Sequence, residues 1–270
     1  MLHERIYLNE NDERIYFDTY IADERYIRRP AMLVIPGGGY RAVCTDREGE
    51  PIALAYFAKG FNCFVLNYGV GTEADVYPKQ LTDASRAIIE IRRNAEKYCI
   101  DPDRVYAVGF SAGGHLAGSL GVLSDREEVL MTLGVKAGDN RPNAVVLAYP
   151  VVTAYEPTHR GSFEYLVGKP FDSLTESDRV LTSLELNVKK DSSPAFIWHT
   201  ATDRSVPLKG SLDLTRAYAE CGVPVSLRVY PYGPHGLALS NWVTDKNGGA
   251  VQLIAEEWVD KSIEFINSLN

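Results

Sequence analysis

The chain has 270 residues, 45% of them hydrophobic and 24% charged, and carries a formal net charge of -8. That apolar content supports a sizeable core, and the length permits one or two domains. The acidic balance argues against nucleic-acid and anionic-membrane partners, because both need a basic footprint.

The N-terminal stretch MLHERIYLNENDERIYF meets charges within five residues, so it lacks the apolar core of a secretory signal. No run of 18 apolar residues offers a membrane span. Four scattered cysteines (Cys44, Cys63, Cys99, Cys221) form no C-x-x-C pair and read as reduced thiols of a cytoplasmic protein.

In chain order, ERIYL and RIYFDTYIA alternate in polarity and predict an antiparallel hairpin at a sheet edge. AMLVIP (31–36) and FNCFVLNY (61–68) read as buried strands. A helix is expected over 81–98, with Leu81, Ala84, Ile88, Ile91 and Ala95 on one face and charges opposite. RVYAVGF (104–110) is a third buried strand, and HLAGSLGVL (115–123) a small-residue helix behind it. AVVLAYP (144–150), AFIWHT (195–200) and VSLRVYP (225–231) complete a set of β-branched and aromatic runs. Their lack of strict alternation predicts a parallel sheet covered on both faces. A helix from Leu208 to Glu220 is bracketed by Pro207 and Gly222, and another is expected over 251–269. The alternation of strand and helix implies one α/β sandwich spanning residues 1–270. The stretch 151–193 interrupts the rhythm with Tyr155, Pro157, His159, Gly161, Phe163 and Tyr165, then a helical run from Ser173 to Leu186. It reads as a cap-like insertion.

The chemistry concentrates in G-F-S-A-G-G, residues 109–114. A G-x-S-x-G match is weak alone, but here a strand precedes it and a helix follows. The glycines permit a sharp turn that lifts the Ser111 hydroxyl above the sheet, at a helix N-terminus that favours negative charge. A serine nucleophile needs a base, and the base an orienting acid, in the chain order Ser, Asp or Glu, His. His235, in Y-P-Y-G-P-H-G directly after the last strand, is placed to be that base. His115 lies one turn beyond the serine and reads as a packing residue. His159 reads as a surface loop residue of the cap, with substrate contact as its other reading, and His199 as a structural residue or one that supports the site from behind. Asp203, in W-H-T-A-T-D-R-S-V-P, follows the preceding strand and is the best acid candidate, although it could instead cap the next helix. Asp191 precedes a strand at the wrong end, and Asp213 lies within a helix. An oxyanion site draws one backbone N–H from the residue after the serine, here Ala112. The rest come from a loop after an early strand, and P-G-G-G-Y (36–40) is such a loop.

With these residues in place, the chain resembles the α/β-hydrolase esterases, in particular the bacterial acetyl-esterase group described as acetylxylan esterase-like or feruloyl/acetyl esterase-like. The matching stretches run from VIPGGGY through VLNYGV, the segment YPKQLTDASRAIIEIRRNAEKYCIDPDRVYAVGFSAGGHLAGSL, FIWHTATDRSVP and YPYGPHGLAL. The resemblance implies Ser111 as nucleophile, His235 as base and Asp203 as acid, with Gly38, Gly39 and Ala112 as oxyanion donors. Pro36 and Phe110 stand where the related lipases carry a histidine and an aspartate, which moves the match towards the carbohydrate-acetyl branch. It implies a small-molecule ester substrate, an acetylated sugar such as a xylo-oligosaccharide, and neither cofactor nor metal. Tyr40, Tyr68, Tyr155 and Phe163 stand as candidates to line a sugar site, with ordinary packing as their other reading. Two other functions share the pattern: amide or formamide hydrolysis (or peptidase action) by the same residues, and non-catalytic binding of a small molecule on the same scaffold.

Overall fold

A computed structural model describes residues 1–23, 26–246 and 248–269. The apolar runs become β3 (Arg29–Ile35), β4 (Asn62–Asn67), β5 (Ile100–Phe110), β6 (Val145–Ala148), β7 (Ala195–Thr200) and β8 (Val225–Tyr230). These six are mutually parallel. The expected edge hairpin is present as β1 (Arg5–Tyr7) and β2 (Tyr16–Tyr20), with Arg5 opposite Asp18, and β2 pairs antiparallel with β4. The sheet order is β1-β2-β4-β3-β5-β6-β7-β8.

Alternation within each strand divides the core between two faces. Leu33, Ile35, Phe64, Leu66, Ala107, Leu147 and Ile197 point one way. They meet α3 (Lys79–Arg93), α4 (Ala112–Val122), α5 (Glu127–Leu133) and α8 (Leu208–Glu220). Met32, Val34, Val65, Val108, Phe110, Val146 and Trp198 point the other way, towards α2 (Glu50–Phe57) and α9 (Trp258–Asn267). With water excluded from both faces, each buried aliphatic side chain stabilises the fold by about 1.5–3 kcal/mol. That double burial is why the strands read as continuous apolar runs. Trp198 stacks on Trp258 at 5.4 Å between centroids, fixing α9 to the sheet.

Two helices end short of expectation. α3 stops at Arg93, because Asn94 caps it and the chain turns sharply through Cys99 (φ 49°) to enter β5. The turn brings the Tyr98 ring against Phe64 at 5.1 Å. At the C-terminus only Trp258–Asn267 is α-helical. The preceding residues are held instead by Ser240, whose carbonyl accepts the Gln252 N–H and whose hydroxyl donates to the Gln252 carbonyl. Leu253 and Ile254, apolar in the sequence pattern, are left exposed.

The 151–193 insertion joins β6 to β7 and holds α6 (Arg160–Val167) and α7 (Glu176–Thr182). α7 covers the middle of the expected helical run. It starts at Thr175, which forms a reciprocal capping box with Asp178. The short helix α1 (Thr45–Glu48) leads into α2, and neither was anticipated from the sequence pattern. Among the described residues no helix is long and apolar enough to cross a membrane, and all four cysteines are unpaired thiols.

Candidate active site

The carboxyl ends of β3, β5, β7 and β8 lie on one edge of the parallel sheet, where open α/β folds place their ligands. Each contributes one segment. β5 ends at Phe110, and Ser111 follows in a conformation that L-residues rarely adopt, φ 53° and ψ -117°. The tight turn depends on its glycines. A Cβ on Gly109 would lie 2.1 Å from the Gly113 carbonyl oxygen, and one on Gly113 would lie 2.2 Å from that of Ile35. The strain is offset by burial of α4 along its whole length and by hydrogen bonds at Ser111 itself. Its N–H donates to Ala148, and its carbonyl accepts from His115 and Val151.

Ser111 Oγ lies 2.8 Å from His235 Nε2, and His235 Nδ1 lies 2.7 Å from Asp203 Oδ2. The three side chains expected to act together therefore form one hydrogen-bonded chain. The Asp203 side chain is fully buried. Its other oxygen accepts the Ser205 and Val206 N–H groups, both at 2.9 Å. Asp203 thus braces the turn that leads to α8 but does not cap the helix itself, whose N-cap is Pro207 with no side-chain partner. Burial alone would raise its pKa, but hydrogen bonds from His199 and His235 and from the Val206 N–H outweigh it. They hold the carboxyl well below the usual range, so it faces His235 as an anion. His199 is a structural residue: its ring nitrogens meet Ser211 Oγ at 2.8 Å and the Val206 carbonyl at 3.0 Å, with Nε2 3.3 Å from Asp203.

The glycine loop after β3 lies against the serine. Gly38 and Gly39, with φ of 129° and 65°, line the cleft beside Ser111 and His235. Their N–H groups make no hydrogen bond among the described residues. Ala112 is the first residue of α4, where N–H groups precede the helical ladder. The Gly37 N–H, by contrast, is occupied: it donates to Glu48 Oε2 at 2.8 Å.

The cleft measures about 340 Å³ and is lined by Arg41, Arg47, Glu48, His159, Gly161, Tyr165 and Ser205 in addition to the residues above. None of the four aromatic candidates for a sugar site is among them. The Tyr40 hydroxyl donates to His115 Nδ1 at 2.8 Å, inside the core. Tyr68 donates to the Pro36 carbonyl at 2.8 Å, beneath the glycine loop. Phe163 is fully buried against His115, and Tyr155 donates to Glu176. Periodicity marks these rings as apolar but does not say on which side of a loop they fall. His159 differs in the opposite sense. It is half-buried, caps α6 and lines the cleft rather than an open surface. Burial and the neighbouring His235 lower its pKa. Glu48 and Tyr149 are further residues at the site that sequence reading passed over. Glu48 sits in the polar run T-D-R-E-G-E-P, and Tyr149 closes an apolar strand, so nothing in their local pattern marked them.

His115 packs as expected. Nε2–H donates to the Thr182 carbonyl at 2.7 Å, which leaves Nδ1 to accept from Tyr40. Burial pushes its pKa down to about 4, from an ordinary 6.5. A histidine whose folded pKa is depressed stabilises the fold above its unfolded pKa, and that contribution is lost as pH falls from 6.5 towards 4. Going from pH 7 to pH 5 is expected to remove about 2 kcal/mol through this one group. Urea unfolding at both pH values checks it: His115→Gln must reduce the drop by that amount, and an unchanged drop refutes the assignment.

Among the described residues no cluster of three or more His, Cys, Asp or Glu is arranged to hold a metal ion. A strained serine after a parallel strand, linked through histidine to a buried aspartate, on a mostly parallel sheet with helices on both faces, defines an α/β-hydrolase. Residues 17–218 match the BD-FAE family, and the chain belongs to that family. Among curated relatives, endo-1,4-beta-xylanase B of Butyrivibrio fibrisolvens is 38% identical over 218 residues, covering 80% of this chain and 33% of its own length. The acetylxylan esterase of Xylanibacter ruminicola is 28% identical over 216 residues, covering 78% and 42%. The chain thus spans less than half the length of these relatives. Among solved structures, an acetyl ester-xyloside bifunctional hydrolase from Caldicellulosiruptor lactoaceticus is 33% identical, with a TM-score of 0.83. The match covers 98% of this chain and 96% of that one.

Proposed function

We propose that the chain is a serine carboxylic ester hydrolase that removes short acyl groups, acetyl above all, from sugars such as acetylated xylo-oligosaccharides. The observation that carries the proposal is the unbroken chain Ser111–His235–Asp203 beside the glycine loop. His235 takes the Ser111 proton as Oγ attacks the ester carbonyl. The N–H groups of Gly38, Gly39 and Ala112 receive the developing oxyanion, and His235 passes the proton to the leaving alkoxide. Water, activated by the same imidazole, then releases the acid from the acyl-enzyme. Asp203 holds the imidazole with its Nδ1–H inward and balances the cation that forms.

The sugar preference is supported by the acetylxylan esterase among the relatives. In this reading the 151–193 insertion is a cap that brings His159, Gly161 and Tyr165 over the alcohol side. Unpaired cysteines suit a reducing compartment, the cytoplasm. The test is acetate release from a panel of acetylated xylo-oligosaccharides, acetylated hexoses and simple alkyl acetates, with aryl formamides and peptides in parallel. The expected order is sugar acetates first, with kcat/KM at least about tenfold above the formamides. Faster formamide turnover would move the assignment to amide hydrolysis.

A further inference from the structure

Glu48 is a carboxylate with 1% of its surface exposed, eight residues beyond the glycine loop and lining the cleft floor. Burying a carboxylate is costly, and an apolar residue of similar size would be cheaper for stability alone. Its two oxygens are both used as acceptors. Oε2 takes the Gly37 N–H at 2.8 Å, and Oε1 takes the Tyr149 hydroxyl at 2.9 Å. The Tyr149 oxygen in turn accepts the Ala238 N–H at 2.9 Å, three residues past His235. The chain of donors therefore runs Ala238 N–H to Tyr149 O–H to Glu48, with Gly37 N–H closing on the same carboxylate from the other side. Burial raises the Glu48 pKa, and Arg47 together with the Gly37 and Tyr149 hydrogen bonds opposes that rise and favours the carboxylate. Arg47, with Nε 3.8 Å from Oε1, supplies a counter-charge. The Tyr149 ring also packs edge-on against the His235 ring, 5.0 Å between centroids.

We infer that Glu48 is a positioning residue which, through Tyr149, holds the oxyanion loop and the His235 loop in register about Ser111. The inference rests on the esterase reading above. Both loops need such a tie. The glycine run 37–39 has no side chains to anchor it, and Gly38 and Gly39 hold positive φ values that any glycine leaves easily. The His235 loop is flanked by Gly233 and Gly236, also at positive φ. One buried carboxylate fixes Gly37, next to the two donor N–H groups, and one tyrosine hydroxyl carries the constraint to the base. The carboxylate's two oxygens are taken by the Gly37 N–H and the Tyr149 hydroxyl, and neither is hydrogen-bonded to Ser111 or His235. Its effect is on how well the donors and the base are aimed when the tetrahedral oxyanion forms.

The test is steady-state hydrolysis of a short acetyl ester by Glu48→Gln, Glu48→Leu, Tyr149→Phe and the Glu48→Gln/Tyr149→Phe double variant, with melting temperatures alongside. Glu48→Gln is expected to lower kcat by about 30–100-fold, on the scale of losing one oxyanion donor or less, with KM within about threefold. Glu48→Leu falls further, so that glutamine, which keeps one acceptor, partly rescues it. Tyr149→Phe loses about tenfold, and the double variant is no worse than about twice the poorer single one, because both break the same link. A kcat within threefold of wild type in both Glu48→Gln and Tyr149→Phe overturns the inference, as does a fully additive double variant. If Glu48→Leu does not fold, Tyr149→Phe decides, since it keeps the ring and its packing. Ser111→Ala is run beside them. Turnover retained in that variant refutes Ser111 as the nucleophile and with it the serine-esterase reading, whereas its loss with Glu48 variants intact refutes only the positioning role.

Discussion

Ser111→Ala is expected to reduce turnover of a short acetyl ester by about 10⁵–10⁶-fold, the scale seen when a nucleophile of this type is removed. Little else should change. The substitution deletes one oxygen at a residue with 9% of its surface exposed, and alanine meets the same strain at φ 53° that serine already carries. The fold loses only the Oγ–His235 hydrogen bond, so the melting temperature should move by no more than about 3 °C. A fluorophosphonate probe should label wild type at one site and the variant nowhere. Near wild-type turnover in purified Ser111→Ala would mean that the serine is a strand-to-helix turn and that another group attacks the ester. Residual activity near 10³-fold over water would not, because the oxyanion donors and the cleft remain in place.

Gly113→Ala is expected to be strongly disruptive. The added Cβ would lie 2.2 Å from the Ile35 oxygen and 2.4 Å from that of Pro36, and both are backbone atoms at the end of β3. No rotamer relieves the clash. α4 must move away from β3, or the strand end must move with its glycine loop, and either motion pulls Ser111 away from the loop's N–H groups. The cost is about 3 kcal/mol or more, at or above the upper end for overpacking. That corresponds to a melting temperature lower by roughly 6–12 °C, with a large loss of kcat in whatever protein folds. Urea unfolding and a thermal scan check it. A variant within about 1 kcal/mol of wild type would show that α4 does not pack this closely on the end of β3.

The same glycines explain why the site was legible at all. Gly109 and Gly113 are demanded by a turn whose geometry is local, so they leave a mark in the order of residues. Asp203 and His235 were legible for a related reason. Each follows a recognisable buried strand by a few residues, and a parallel sheet brings the ends of such strands to one edge whatever the lengths of chain between them. The sheet was readable because burial on both faces forces continuous apolar runs, and the edge hairpin because burial on one face forces alternation.

Residue order alone therefore specifies the layered sheet, the elbow around Ser111, and the order in which Asp203 and His235 follow it. What lines the cleft is settled by packing. Tyr40, Tyr68 and Phe163 turn inward because their rings gain more from the core than from solvent, while Tyr165 and His159 face the cleft. A local pattern of apolar and polar residues says that a side chain is buried, not against what. Glu48 shows the same limit in reverse. A glutamate in a charged run reads as solvated, and it is buried here because α1 folds beneath the glycine loop. There the Gly37 N–H and the hydroxyl of Tyr149, 101 residues further along the chain, meet its two oxygens. Contacts at that separation are set by packing of the whole sheet, and no local pattern records them.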